Sequence, residues 1–176
     1  MWAQRLVVAT ALGVLAIGLA QPATADSGVS SATVTVTGGA LSITVPVDAG
    51  SLGSRVNTVA GGTISGSLGQ VQVNDARSAA AGSGWVVTVI STAFTPPSGP
   101  TIAASAVGYT AGAIAKTGTA TFTANDPGNL TGAVAAVTAT GITGDNSATW
   151  NPTINVAVPG GTIANVYSAT ITHSVV

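Results

Sequence analysis

The sequence contains no cysteine, no glutamate and a single histidine, His173, and it has only four Lys or Arg residues against five acidic ones in 176 residues. Each absence removes a class of function. Without Cys there is no thiolate zinc site, no disulfide scaffold and no thiol nucleophile. One His excludes multi-histidine metal centres. Four scattered cations cannot displace counterions from a phosphate backbone, so nucleic acid is excluded as a partner. Charge-driven disorder is excluded as well, because charged residues make up 5% of the chain, hydrophobic residues 46%, and mean hydropathy is +0.56.

What is present begins with an address. Residues 1–25 read as a secretory signal peptide: Arg5 supplies a positive start, residues 6–20 are an apolar run, Gln21-Pro22 breaks it, and Ala23-Thr24-Ala25 is a small-x-small cleavage site. The run is shorter than the roughly 20 apolar residues of a membrane span, and Gly13 and Gly18 interrupt it. No Cys follows for a lipid anchor. Residues 26–176 are therefore expected to form one mature domain, with no second membrane segment and no wall-sorting signal after Ser174-Val175-Val176. The expected location is extracellular or wall-associated, with no membrane contact in the mature form. A secreted domain without disulfides has to rely on packing and backbone pairing.

Period two runs through the mature chain. Ala32, Val34 and Val36 alternate with Thr33, Thr35 and Thr37, and Gly38-Gly39 is a turn of the kind short hairpins use. Leu41, Ile43, Val45 and Val47 alternate with Ser42, Thr44 and Pro46. Residues 62–76 give one or two strands with Val71 and Val73 in phase. Trp85, Val87 and Val89 share a face. Thr119, Thr121 and Thr123 alternate with Ala120, Phe122 and Ala124. Ile154, Val156 and Val158 repeat the pattern, and Tyr167, Ala169, Ile171, His173 and Val175 line one face of a closing strand. Residues 95–100, 125–129 and 144–147 read as turns, and 103–118 and 131–141 as long loops or weak strands. No window outside the signal peptide carries an apolar stripe at helical spacing. The expectation is an all-β fold, an antiparallel two-sheet β-sandwich, Ig-like or jelly-roll-like, of about eight to ten strands.

Few residues invite chemistry. His173 is the only imidazole, and no G-x-S-x-G elbow surrounds any Ser, so it reads as a half-buried core residue rather than the base of a triad. Asp26, Asp48, Asp75, Asp126 and Asp145 are dispersed, and turn chemistry explains them without a catalytic carboxylate pair. Asn125, Asp126, Asn129, Asp145 and Asn146 offer oxygen ligands for calcium, but no D-x-[DN]-x-[DN]-G loop is present, and they read as ordinary turn residues first. Trp85 is in phase with core valines. Trp150 precedes Asn151-Pro152, and it reads either as core or as an exposed platform for a sugar ring. Arg77 beside Asp75 reads as a surface pair across a turn or as a loop cap, a pair of that kind being worth about 0–1 kcal/mol. No cofactor and no metal is expected, and no enzyme.

Three stretches together resemble the WxL domain family of Gram-positive surface proteins, in an actinobacterial style. The first is 68–77 (LGQVQVNDAR) followed by Gly84-Trp85-Val86-Val87-Thr88-Val89, similar to V-x-D-x-R, a spacer and G-W-x-L/V-T-V. The second is 94–109, ending at Tyr109. The third is Trp150-Asn151-Pro152 with 156–159 and the closing 167–175, where the family's W-x-L is His173-Ser174-Val175 and the Trp is lost. The resemblance implies non-covalent attachment to peptidoglycan or to partner surface proteins, with Trp85, Trp150, His173, Tyr109, Arg77 and Asp75 as candidate binding residues. It also implies that binding through the second motif is altered if that Trp contacts the wall. Two other functions compete with it: a self-assembling surface-fibre subunit using β-strand addition through residues 30–37, and a secreted hydrolase acting through His173.

Overall fold

The computed structural model describes residues 30–176; the segment read as a signal peptide lies outside them. The compact unit is Val36–Val176, and it is an all-β sandwich of eight strands in two antiparallel sheets. The strands are β1 (Leu41–Thr44), β2 (Gly62–Ser67), β3 (Val71–Ser91), β4 (Val107–Thr110), β5 (Ala115–Ala124), β6 (Val134–Trp150), β7 (Thr153–Val158) and β8 (Ile171–Val175). A single 3-10 turn, Ala104–Ala106, leads into β4.

The larger sheet is built on two long strands. β3 pairs with β6 along one edge, while β1 and β8 share its other edge, β1 at Gln72–Asp75 and β8 at Val87–Ser91. β5 closes the far side of β6. The smaller sheet has the order β2-β7-β4. Alternation decides which side chains meet between the sheets. Val71, Val73, Trp85, Val87 and Val89 from β3 are buried, as are Ala136, Val137, Ala139, Ile142, Ala148 and Trp150 from β6. Val107 and Tyr109 from β4 and Ile154, Val156 and Val158 from β7 close the core from the second sheet. Each buried Val or Ile withdraws apolar area worth roughly 1.5–3 kcal/mol from water.

Two expectations change. Of the two readings of 131–141 the strand holds from Val134 onward, and 144–147 are not a turn: β6 runs unbroken from Val134 to Trp150, and its glycines, Gly141 at φ 65° and Gly144 at φ 71°, sit at bulges inside the strand. Residues 32–37 form no strand, and Gly38-Gly39 is not a hairpin turn. These glycines pass so close to β3 that a Cβ on Gly38 would overlap the Arg77 carbonyl, and the Gly39 amide donates to the Ala76 carbonyl. Just beyond, β3 bulges. Four of its residues pass for two of β6 between Asp75 and Ala79, and again between Ala79 and Ser83. The ladder that residues 32–37 would extend is lost there, and every residue from Ser30 to Ala40 is exposed.

Candidate functional site

The six candidate residues fall into two groups, each centred on one tryptophan. The first is at the β3 bulge. Val71, Val73 and Asp75 occupy successive inward positions, so the alternation that buries the valines also buries a carboxylate. A buried charge needs a partner and hydrogen bonds on its remaining lone pairs, and the bulge supplies both. Asp75 Oδ1 accepts from Arg77 Nε at 2.8 Å and from the Arg77 amide at 3.2 Å. Its Oδ2 accepts from Arg77 Nη2 at 3.0 Å and from Asn146 Nδ2 at 3.0 Å. Arg77 Nη2 also donates to the Gly84 carbonyl, which ties the two feet of the bulge together. Asn146 Oδ1 accepts from the Trp85 indole at 3.0 Å, and Trp85 rests against Phe122 with ring centroids 5.6 Å apart.

The surface-pair reading of Asp75 and Arg77 is therefore corrected. Asp75 is fully buried, and the pair is bidentate and embedded in a network. The Arg77 guanidinium holds the Asp75 carboxyl below its ordinary value of 3.8, against the opposing effect of burial. Asp145 braces the same bulge from β6, accepting from the amide of Ser78, which sits at φ 51°.

The second group spans the two sheets. Trp150 ends β6, Tyr109 is on β4 of the opposite sheet, and His173 is on β8. The Trp150 indole donates to Tyr109 Oη at 2.7 Å, and Tyr109 Oη lies 3.3 Å from His173 Nε2. The phenol oxygen accepts from the indole and shares a hydrogen bond with His173 Nε2, so the imidazole nitrogen left over is Nδ1. That nitrogen is buried with no partner. Burial pushes Tyr109 up to about 12 and His173 down to about 4, so both are neutral at pH 7. A catalytic triad needs a carboxylate on one imidazole nitrogen and a nucleophilic hydroxyl on the other; His173 has a phenol on one and nothing on the other.

Both tryptophans are only 2% exposed, so neither presents a face on which a sugar ring could stack, and the open choice for Trp150 resolves to core. The oxygens considered for calcium have local partners. Asp126 Oδ1 accepts from the Ala111 amide and Asn129 Oδ1 from the Thr131 amide, while Asn125 is held through its side-chain nitrogen, which donates to Thr138 Oγ1. Two surface depressions of about 270 Å³ are present. One is lined by Thr92, Ala93, Thr95, Ser168, Ala169 and Thr170, none of them titratable, and the other has Asp126 and Tyr109 on its wall.

Sequence reading missed Asn146 as the hub between Trp85 and Asp75. Its signal was its phase, since Asn146, Ala148 and Trp150 alternate inward along β6. No family model matches this chain, and neither a curated protein nor a solved structure matches it.

Proposed function

We propose that the chain is an exported, non-enzymatic cell-surface module that associates non-covalently with cell-wall peptidoglycan or with a partner surface protein. The observation that carries this reading is how the reactive side chains are spent. Asp75, Arg77 and Asn146 hold a bulge, and Tyr109, Trp150 and His173 hold two sheets together. What faces outward is mostly Thr, Ser, Asn and Ala on a rigid two-sheet frame, a surface suited to recognition by shape and hydrogen bonds rather than to bond-breaking. The leader pattern of residues 1–25 and the short motifs around Trp85 and His173 that resemble the WxL family support a wall-facing role.

Co-sedimentation with purified peptidoglycan tests the reading. The protein should pellet with the wall in a saturable way, and substitution of His173 should leave this unchanged as long as the fold is intact. Pelleting no better than an inert β-sandwich would remove the wall from the proposal.

A further inference from the structure

We propose that residues 32–37 of one copy add as a strand to the free edge of β5 in a second copy, joining copies head to tail. The proposal is independent of wall binding. It starts from two unpaired features whose patterns match.

The first is the donor. Residues 32–37, Ala-Thr-Val-Thr-Val-Thr, have the composition and alternation of a strand, yet none is in a strand and all are exposed, Val34 at 90% and Val36 at 79%. The β3 bulge denies them the ladder that β1 uses.

The second is the acceptor. β5 ends the larger sheet and pairs only with β6. Among the described residues no backbone hydrogen bond outside that pairing reaches Ala115–Ala124. Residues 119–124 read Thr-Ala-Thr-Phe-Thr-Ala, with the threonines outward and Ala120, Phe122 and Ala124 half-buried over the core. β6 already sets Thr140 and Thr138 beside Thr121 and Thr123, and Ala139 and Val137 beside Phe122 and Ala124. An added strand with Thr35 beside Thr121 continues both rows. Its threonines extend the outer ladder, and Val34 and Val36 fall beside Ala120 and Phe122, the half-buried pair on the inner row, where the Phe122 ring lies against Trp85 with Lys116 Nζ 5.8 Å from its centroid. Thr–Thr and aromatic–β-branched neighbours are favourable cross-strand pairs, and a shift by one residue would turn both valines to solvent. With Thr35 beside Thr121 the two rows match in either strand direction. Donor and acceptor are different surfaces, so the contact is heterologous and propagates instead of closing into a two-fold dimer.

For the test, the full chain is expressed in an exporting host and purified in the form the host leaves it. Light scattering across a concentration series should show mass growing with concentration, and electron microscopy should show filaments. The described residues hold no cysteine, so introduced thiols report contacts cleanly. Copies carrying Thr35→Cys mixed with copies carrying Thr121→Cys should form a disulfide-linked dimer, whereas Thr172→Cys, on the exposed side of β8, should not trap Thr35→Cys. Thr35→Pro removes an amide from a segment that makes no backbone pairing among the described residues, so its melting temperature should stay unchanged while assembly and cross-linking are lost. A monomer at every concentration with no Thr35–Thr121 cross-link overturns the proposal, as does undiminished assembly of Thr35→Pro. Preferential trapping by Thr172→Cys also overturns it, because it moves the acceptor off β5.

Discussion

The two tryptophan-centred braces solve one problem in opposite ways. Each indole N–H is buried and needs an acceptor. Trp85 reaches an ionic network, Asn146 to Asp75 to Arg77, that lies within one sheet at the β3 bulge, where the Arg77 side chain is still 35% exposed. Trp150 reaches a neutral chain, Tyr109 to His173, that crosses between the sheets. The charge stands where water can solvate part of it, and the interior between the sheets is left uncharged. This is the arrangement that desolvation costs favour, and it makes the braces fail under different conditions.

The largest effect is expected at the ionic brace. Asp75→Ala leaves Arg77 beside an empty position and strips Asn146 of an acceptor; it removes several hydrogen bonds to a charged group, each worth about 1.5–3 kcal/mol, of which the part-exposed guanidinium recovers only some from water. Asp75→Asn keeps the volume and should recover only part of the loss, since the bidentate charge is gone. Urea unfolding of the three proteins checks this; a loss for Asp75→Ala no greater than that of an exposed pair would mean that the network contributes packing alone.

Acid separates the two braces. His173 has an ordinary value of 6.5 and a folded value of about 4. The unfolded chain therefore binds the extra proton between those limits. The stability linked to neutral His173 is fully present above about pH 6.5 and is lost as pH falls toward 4, by about 3 kcal/mol at most. Asp75 has a lowered value too, but its contribution is present above 3.8 and is lost only below it. Unfolding midpoints should fall in two separate stages, the upper one absent in His173→Phe and the lower one absent in Asp75→Asn. A wild-type protein as stable near pH 4.5 as at pH 7 would remove His173 from the inter-sheet brace.

Much of this was legible from alternation. The strands around Val71, Trp85, Phe122, Ile154 and Ile171 and the sandwich class follow from period two. The extent of β6 did not, because Gly141, Gly144 and Asp145 have the composition of a turn, and only pairing with β3 shows them to be bulges. Asp75 was hidden by the same bias: an Asp beside Arg looks like surface, although its phase with Val71 and Val73 places it inside. Residues 32–37 failed the other way. Their pattern is that of a strand, but a strand needs a neighbour, and whether β3 would offer one was decided by a bulge at Ser78–Gly82 that local composition does not announce. The tyrosine–histidine contact joins residues 64 positions apart, and no local signal encodes it.

The smallest effect, and the sharpest for the comparison, is expected from Tyr109→Phe. The ring remains and keeps filling the space between β4 and β8, so almost no apolar burial is lost. Removing the hydroxyl orphans the Trp150 indole N–H and leaves His173 with both nitrogens unpartnered. The cost is set by an unsatisfied buried donor, about 1–3 kcal/mol. A double-mutant cycle with Trp150→Phe isolates the shared part: if the hydroxyl and the indole act as one unit, the two losses should be strongly non-additive. The same cycle between Tyr109→Phe and Trp85→Phe should be additive, because the two braces share no hydrogen bond. Strong coupling between Tyr109 and Trp85 would show that the sandwich is held by one continuous network and not by two independent ones.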